Sequence, residues 1–178
     1  RGGVWDQLIK AALAAVDQGG VHYAGRCRFE VIRGNMVVTL PSGRRLSYFN
    51  ARIEERIPGY AYTLGLELVP KSTLLYDSPT GERSLYGGKI AENAVQAICR
   101  DLLACAVVEC ERSDLPIVLH VHDEIVAEVP EESGRDDLHR LASIMRNPPA
   151  WADGFPVNVE GYLAPCYLKE SIEGWAKT

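Results

Sequence analysis

No apolar run in the sequence approaches the roughly 20 residues that a membrane-spanning helix needs, so no membrane partner is expected. Cysteine is too sparse and too irregular for a framework. Cys27, Cys99, Cys105, Cys110 and Cys166 are odd in number and show no paired short spacing. That argues against a disulfide scaffold or a thiolate zinc site, and for small buried hydrophobes in a reducing compartment. A secretory leader is not expected either, because Arg1-Gly2-Gly3 runs straight into an amphipathic stretch. An initiator methionine is missing, which suits a fragment or a trimmed chain. Internal repeats and linker-like segments are also missing, so residues 1–178 read as one unit.

What remains is a soluble globular composition, 47% hydrophobic and 24% charged over 178 residues. The net charge of −5 is unevenly spread. Residues 1–100 hold 13 Lys/Arg against 9 Asp/Glu, and residues 101–178 hold 6 against 15. The first part can meet phosphates, whereas the second is acidic.

Val4, Leu8, Ala11, Ala12 and Ala15 fall at helical spacing, and Gly19-Gly20 ends that helix. Arg26–Arg33 and Met36–Leu40 read as strands joined at Gly34-Asn35, and a third strand starts at Arg44 after the turn Pro41-Ser42-Gly43. Ala51–Ile57 fits strand or helix, with a break at Pro58-Gly59. Thr73–Tyr76 and Arg83–Tyr86 form a hairpin around a turn-rich loop. A long helix runs from about Lys89 to Arg112, a second from Arg135 to Arg146, and Val157–Leu163 reads as a last strand. The expected class is α+β. Residues 1–85 give one helix and small antiparallel strands. Residues 86–168 give the long helix, a hairpin, a helix and the final strand, and 169–178 form a tail.

The hairpin, Leu115 to Pro130, is the centre of the chain. Two β-branched runs, Ile117–Val121 and Ile125–Val129, flank His122-Asp123-Glu124. Two carboxylates on a stiff tip suit a divalent cation, since hard cations take oxygen ligands. A solvated turn is the plain alternative. On the helix that leads into it, Lys89, Glu92, Asn93, Gln96 and Arg100 fall within an arc of roughly 100°, and the rest of the circumference is apolar. The helix should therefore be buried on most sides and lie beneath the hairpin. Asn93 and Gln96 beside two cations suit base edges and sugar–phosphate backbone. An ordinary solvated face is again the alternative.

Taken in order, these stretches resemble the C-terminal part of family-A DNA polymerases, the bacterial DNA polymerase I type, and most closely phage-like members. Leu40-Pro41-Ser42-Gly43-Arg44 is similar to the family's turn. Tyr86-Gly87-Gly88-Lys89, Glu92-Asn93-Ala94-Val95-Gln96-Ala97 and Arg100-Asp101 are similar to the helix that precedes the last motif. Val121-His122-Asp123-Glu124-Ile125 is similar to that motif, motif C. The resemblance covers about residues 4 to 168. It implies an antiparallel palm sheet with the carboxylate-tipped hairpin, backed by helices. It implies that Asp123 ligates the catalytic metals, that Glu124 supports them, and that His122 approaches the primer end. Gln96, with Asn93, Arg100 and Lys89 on the same strip, would contact DNA, and Arg44 and Arg45 would contact its backbone. The implied cofactor is Mg²⁺, two ions in the complete enzyme. The implied partners are primer–template DNA and deoxynucleoside triphosphates, in a bacterial or phage-infected cytoplasm.

The sequence departs from the family in three places. It has no Asp-Tyr-Ser-type strand to supply the second aspartate (motif A), no fingers helix (motif B) and no exonuclease region. A polypeptide or chain segment carrying motifs A and B is therefore an implied partner, and this chain alone is expected to be inactive. Two other readings compete. One is a noncatalytic DNA-binding module with a polymerase-like fold. The other is a metal-dependent hydrolase, in which His120 and His122 share a strand face and bind zinc with help from His22 or His139.

Overall fold

The computed structural model describes residues 2–57 and 59–168. The chain divides into two compact units, Arg1–Gln96 and Ala97–Thr178. The architecture is α+β, as the sequence implies, with a six-stranded antiparallel sheet backed by helices and a separate two-stranded hairpin. Among the described residues, no helix is long and apolar enough to cross a membrane.

In the first unit the helix α1 (Val4–Gln18) precedes a meander of strands β1 (Val21–Ala24), β2 (Cys27–Ile32), β3 (Asn35–Thr39) and β4 (Arg45–Arg56). A short helix α2 (Gly59–Leu64) follows, then β5 (Lys71–Ser78) and β6 (Gly81–Leu85). Neighbours in sequence are neighbours in the sheet throughout. The β2–β3 turn is Arg33-Gly34, one residue earlier than the sequence suggests. Both residues have positive φ, 52° and 79°, as the tight mirror-image turn requires. Ala51–Ile57 resolves as strand, since β4 continues to Arg56 past an irregularity between Phe49 and Arg52. The expected break at Pro58-Gly59 falls partly, and the expected tail wholly, outside the described residues.

Strand register decides which face is core. Phe29 pairs with Val38 and Val38 with Leu46, while Met36 pairs with Tyr48. Phe29, Met36 and Val38 are fully buried on this face, each contributing about 1.5–3 kcal/mol of apolar burial. Helix α1 packs against β1–β4 and buries Leu8, Ala11, Ala12 and Ala15. Val4 is exposed, so the apolar stripe of α1 begins a turn later than its spacing implies.

Helix α3 (Gly87–Arg112) begins in the first unit and ends in the second. It is not buried on most sides. Gly87, Ile90, Ala94 and Ala97 form one buried stripe, Leu103, Ala106 and Cys110 form another on a different side of the helix further along, and Val95, Cys99 and Val108 are exposed. Apolar content overstated the burial because alanine, valine and cysteine are tolerated on a solvated helix face. Of the cysteines, Cys27 and Cys110 are buried, Cys105 is half-buried, and Cys99 and Cys166 are exposed.

The second unit continues with the hairpin β7 (Ile117–Val121) and β8 (Glu124–Ala127), then α4 (Gly134–Arg146) and a 3-10 turn at Ala150–Ala152. Asp136 and Asp137 in the first turn of α4 favour its positive dipole end. The stretch Val157–Leu163 is not a strand. It lies without a ladder apart from one bridge residue, Tyr162, and is tied to α4 where the Arg146 guanidinium donates to the Val159 carbonyl at 2.5 Å.

Candidate metal and nucleic-acid site

The hairpin is aimed by the end of α3. The Leu115 N–H donates to the Cys110 carbonyl at 3.0 Å and the Asp114 N–H to the Glu111 carbonyl at 3.2 Å. Asp114 has φ of 55° and Leu115 is buried. This is the Schellman ending, with aspartate where glycine is usual. It turns the chain sharply into β7, and the Glu111 carboxylate then accepts the Ile117 N–H at 3.1 Å.

Strands β7 and β8 pair antiparallel, with Val121 opposite Glu124, His120 opposite Ile125 and Leu119 opposite Val126. The two-residue turn between them is His122-Asp123, and Glu124 is the first residue of β8. His122 sits at φ of 52°, an uncommon value for a histidine. His122, Asp123 and Glu124 are all exposed. No residue of β7 or β8 is fully buried, and Val118 is 57% exposed. Because His122 lies in the turn, the strand alternation that would align it with His120 does not apply, and the imidazole pair required by the zinc reading is not set up by the strand.

The tip brings Asp123 and Glu124 together as adjacent residues. Tyr167 donates its hydroxyl to Glu124 Oε2 at 3.0 Å, and this bond to the carboxylate pushes the phenol pKa up. Nothing in the sequence signals that contact, since the two residues are 43 positions apart. Among the described residues no third His, Cys, Asp or Glu joins the pair to form a closed metal cage. Exposed carboxylates are nevertheless the right donors for Mg²⁺, which keeps several waters and is held through one or two carboxylates plus substrate phosphates.

The polar strip on α3 separates into two kinds of residue. Lys89 and Glu92 pair with each other at 3.0 Å. Asn93 is half-buried and donates to the Tyr48 hydroxyl at 3.0 Å, tying α3 to β4. Burial raises the Tyr48 pKa, with the Asn93 bond working the other way. Tyr48 also meets Tyr76 edge to face, ring centres 5.2 Å apart. Gln96 and Arg100 are exposed. Lys89, Asn93 and Gln96 belong to the first unit, and Arg100 and the carboxylate tip to the second. Arg44 and Arg45 lie in the first unit at the start of β4. There the Leu40–Arg44 turn closes through Leu40 N–H to the Arg44 carbonyl at 2.8 Å, and Gly43 supplies φ of 85°. Both arginines are exposed.

No protein-family profile and no solved structure matches the chain. It is similar to the DNA polymerase of Bacillus phage SP02, with 34% identity over 169 residues, which is 93% of this chain. The chain spans about a quarter (25%) of that relative's length.

Proposed function

We propose that the chain is part of a DNA-directed DNA polymerase of family A and forms its post-fingers palm portion. The observation that carries this is the exposed hairpin tip with Asp123 and Glu124 side by side, in a chain similar along nearly its whole length to a phage DNA polymerase. Asp123, at the apex of the turn, would be the direct metal ligand. Glu124 would support it while held by Tyr167. Mg²⁺ bound there would supply the Lewis acidity that activates a primer 3′-hydroxyl and stabilises the leaving pyrophosphate. His122, the other residue of the turn, would approach the primer end.

Gln96 and Arg100 would contact the duplex from the α3 strip, with Lys89 and Asn93 as further candidates, and Arg44 and Arg45 would meet phosphates. Asn93 already has an internal partner, so part of its contribution would be to hold α3 in place. The remaining metal-binding aspartate and the nucleotide-binding helix would come from a polypeptide or chain segment outside these 178 residues. Primer–template DNA and deoxynucleoside triphosphates would be the substrates, and a bacterial or phage-infected cytoplasm the compartment.

Primer extension in Mg²⁺ tests this. The purified chain should extend nothing alone and should extend a primer once joined to the segment carrying the second aspartate. Extension by the chain alone that disappears in Asp123→Ala would refute the division of labour. DNA binding with no synthesis in any combination would point to a noncatalytic DNA-binding module.

A further inference from the structure

We propose that the sheet face opposite α1 carries a second nucleic-acid site, one for a single strand of DNA. Tyr23 pairs with Arg28, Arg28 with Thr39, and Thr39 with Arg45. Residues directly opposite one another on adjacent strands project to the same face, so these four form one row across β1–β4. At the usual spacing of neighbouring strands the row is about 14 Å long. Phe29, Val38 and Met36 occupy the alternate positions, on the buried face against α1. The row is therefore on the other side.

The ends of the row are open. Tyr23 is 68% exposed, Arg45 is exposed, and among the described residues the Arg45 side chain has no hydrogen bond or ion pair. The Arg28 side chain is 39% exposed and pairs with Glu30 at 2.9 Å. Charge is concentrated here against the trend of the whole molecule. Residues 21–49 hold Arg26, Arg28, Arg33, Arg44 and Arg45 with a single acid, Glu30, in a chain of net charge −5. The turns carrying Arg26 and Arg44 lie at the same end of the meander, because alternate turns of an antiparallel sheet share an end.

Guanidinium groups neutralise phosphates, and an exposed tyrosine ring offers a platform for a base. Together they suit a strand whose bases are unstacked and available. A duplex presents phosphates to the arginines but no free base face to Tyr23. The proposal goes beyond the polymerase reading: of this row only Arg45 is a phosphate-contact candidate there, and neither Tyr23 nor Arg28 has a part at the carboxylate tip.

The test is fluorescence anisotropy of the chain with a labelled oligothymidylate and, separately, with a duplex of the same length. Tyr23→Ala should weaken the single-strand complex about tenfold, the order that stacking one base provides, and Tyr23→Phe should bind like the wild type. Arg45→Ala should weaken it too and reduce the slope of log affinity against log salt by about 0.7. Thermal midpoints equal to the wild type would show that the variants are folded. Equal single-strand affinity in wild type and Tyr23→Ala would overturn the proposal, as would an equal loss of duplex binding in Tyr23→Ala.

Discussion

Asp123 and Glu124 are adjacent, yet their settings differ. Asp123 sits in the turn and Glu124 opens β8 opposite Val121, where Tyr167 holds one of its oxygens. A carboxylate already engaged in a hydrogen bond is the less free of the two to serve as a direct ligand. If the proposed polymerase function holds, Asp123→Asn in the complete enzyme should therefore cost several kcal/mol in the barrier, on the scale of other electrostatic stabilisers, and Glu124→Gln should cost less. Single-turnover incorporation in Mg²⁺ compares them, and greater damage from Glu124→Gln would reverse the assignment. A second single-residue prediction concerns the start of α3. A Cβ on Gly87 would stand 2.1 Å from the Trp5 carbonyl oxygen, whereas one on Gly88 would meet the Tyr86 ring at 3.2 Å. Backbone cannot yield as a ring can. Gly87→Ala should cost about 1–3 kcal/mol, as overpacking does, and lower the thermal midpoint clearly more than Gly88→Ala.

Strands and helices were legible where pattern and turn chemistry agreed. The β2–β3 hairpin, the long helix and the carboxylate-tipped hairpin all follow from β-branched runs, glycine turns and the absence of breakers. Val21–Ala24 was not foreseen, because four residues after a glycine pair carry too little alternation. Val157–Leu163 had the composition of a strand but lacks a ladder partner among the described residues, and composition cannot supply one. At the site, the turn that presents Asp123 was readable, but Tyr167 on Glu124 and Asn93 on Tyr48 depend on contacts distant in sequence. The ion-pair network on β4–β6 was equally hidden. Arg52 bonds Asp77 at 3.0 Å and Glu54 at 2.9 Å and also reaches Glu82, while Arg56 holds Glu54 at 2.7 Å and Glu82 at 2.6 Å. The Asn50 amide and then Arg52 lower the Asp77 pKa below 3.8, and Arg56 and then Arg52 lower that of Glu54 below 4.5. Depressed carboxylate pKa values stabilise the fold above the ordinary values, and the stabilisation is lost as pH falls through the lower folded ones. Arg52→Met should therefore lower the thermal midpoint at neutral pH, with the gap to wild type closing as pH falls below the ordinary carboxylate range. A gap that stays constant with pH would mean that Arg52 acts by packing rather than charge.

Across the whole molecule the charge sums to −5, which alone would disfavour DNA. The sum conceals a chain whose first hundred residues carry an excess of cations and whose remainder carries an excess of acids. Phosphate binding responds to the cations that touch the strand, because affinity at ordinary salt comes largely from counterions released locally. Acids on a separate surface, beyond a screening distance of about 8–10 Å, contribute little. Duplex binding should accordingly weaken linearly with log salt despite the acidic total. Arg100→Ala, on the exposed end of the α3 strip, should lower that slope by about one. Glu131→Gln with Glu132→Gln, two exposed acids in the loop before α4, removes two negative charges and should leave the slope unchanged. If neutralising those two glutamates steepens the slope while Arg100→Ala does nothing, the chain meets DNA through its overall field, and the polar strip on α3 is a solvated face.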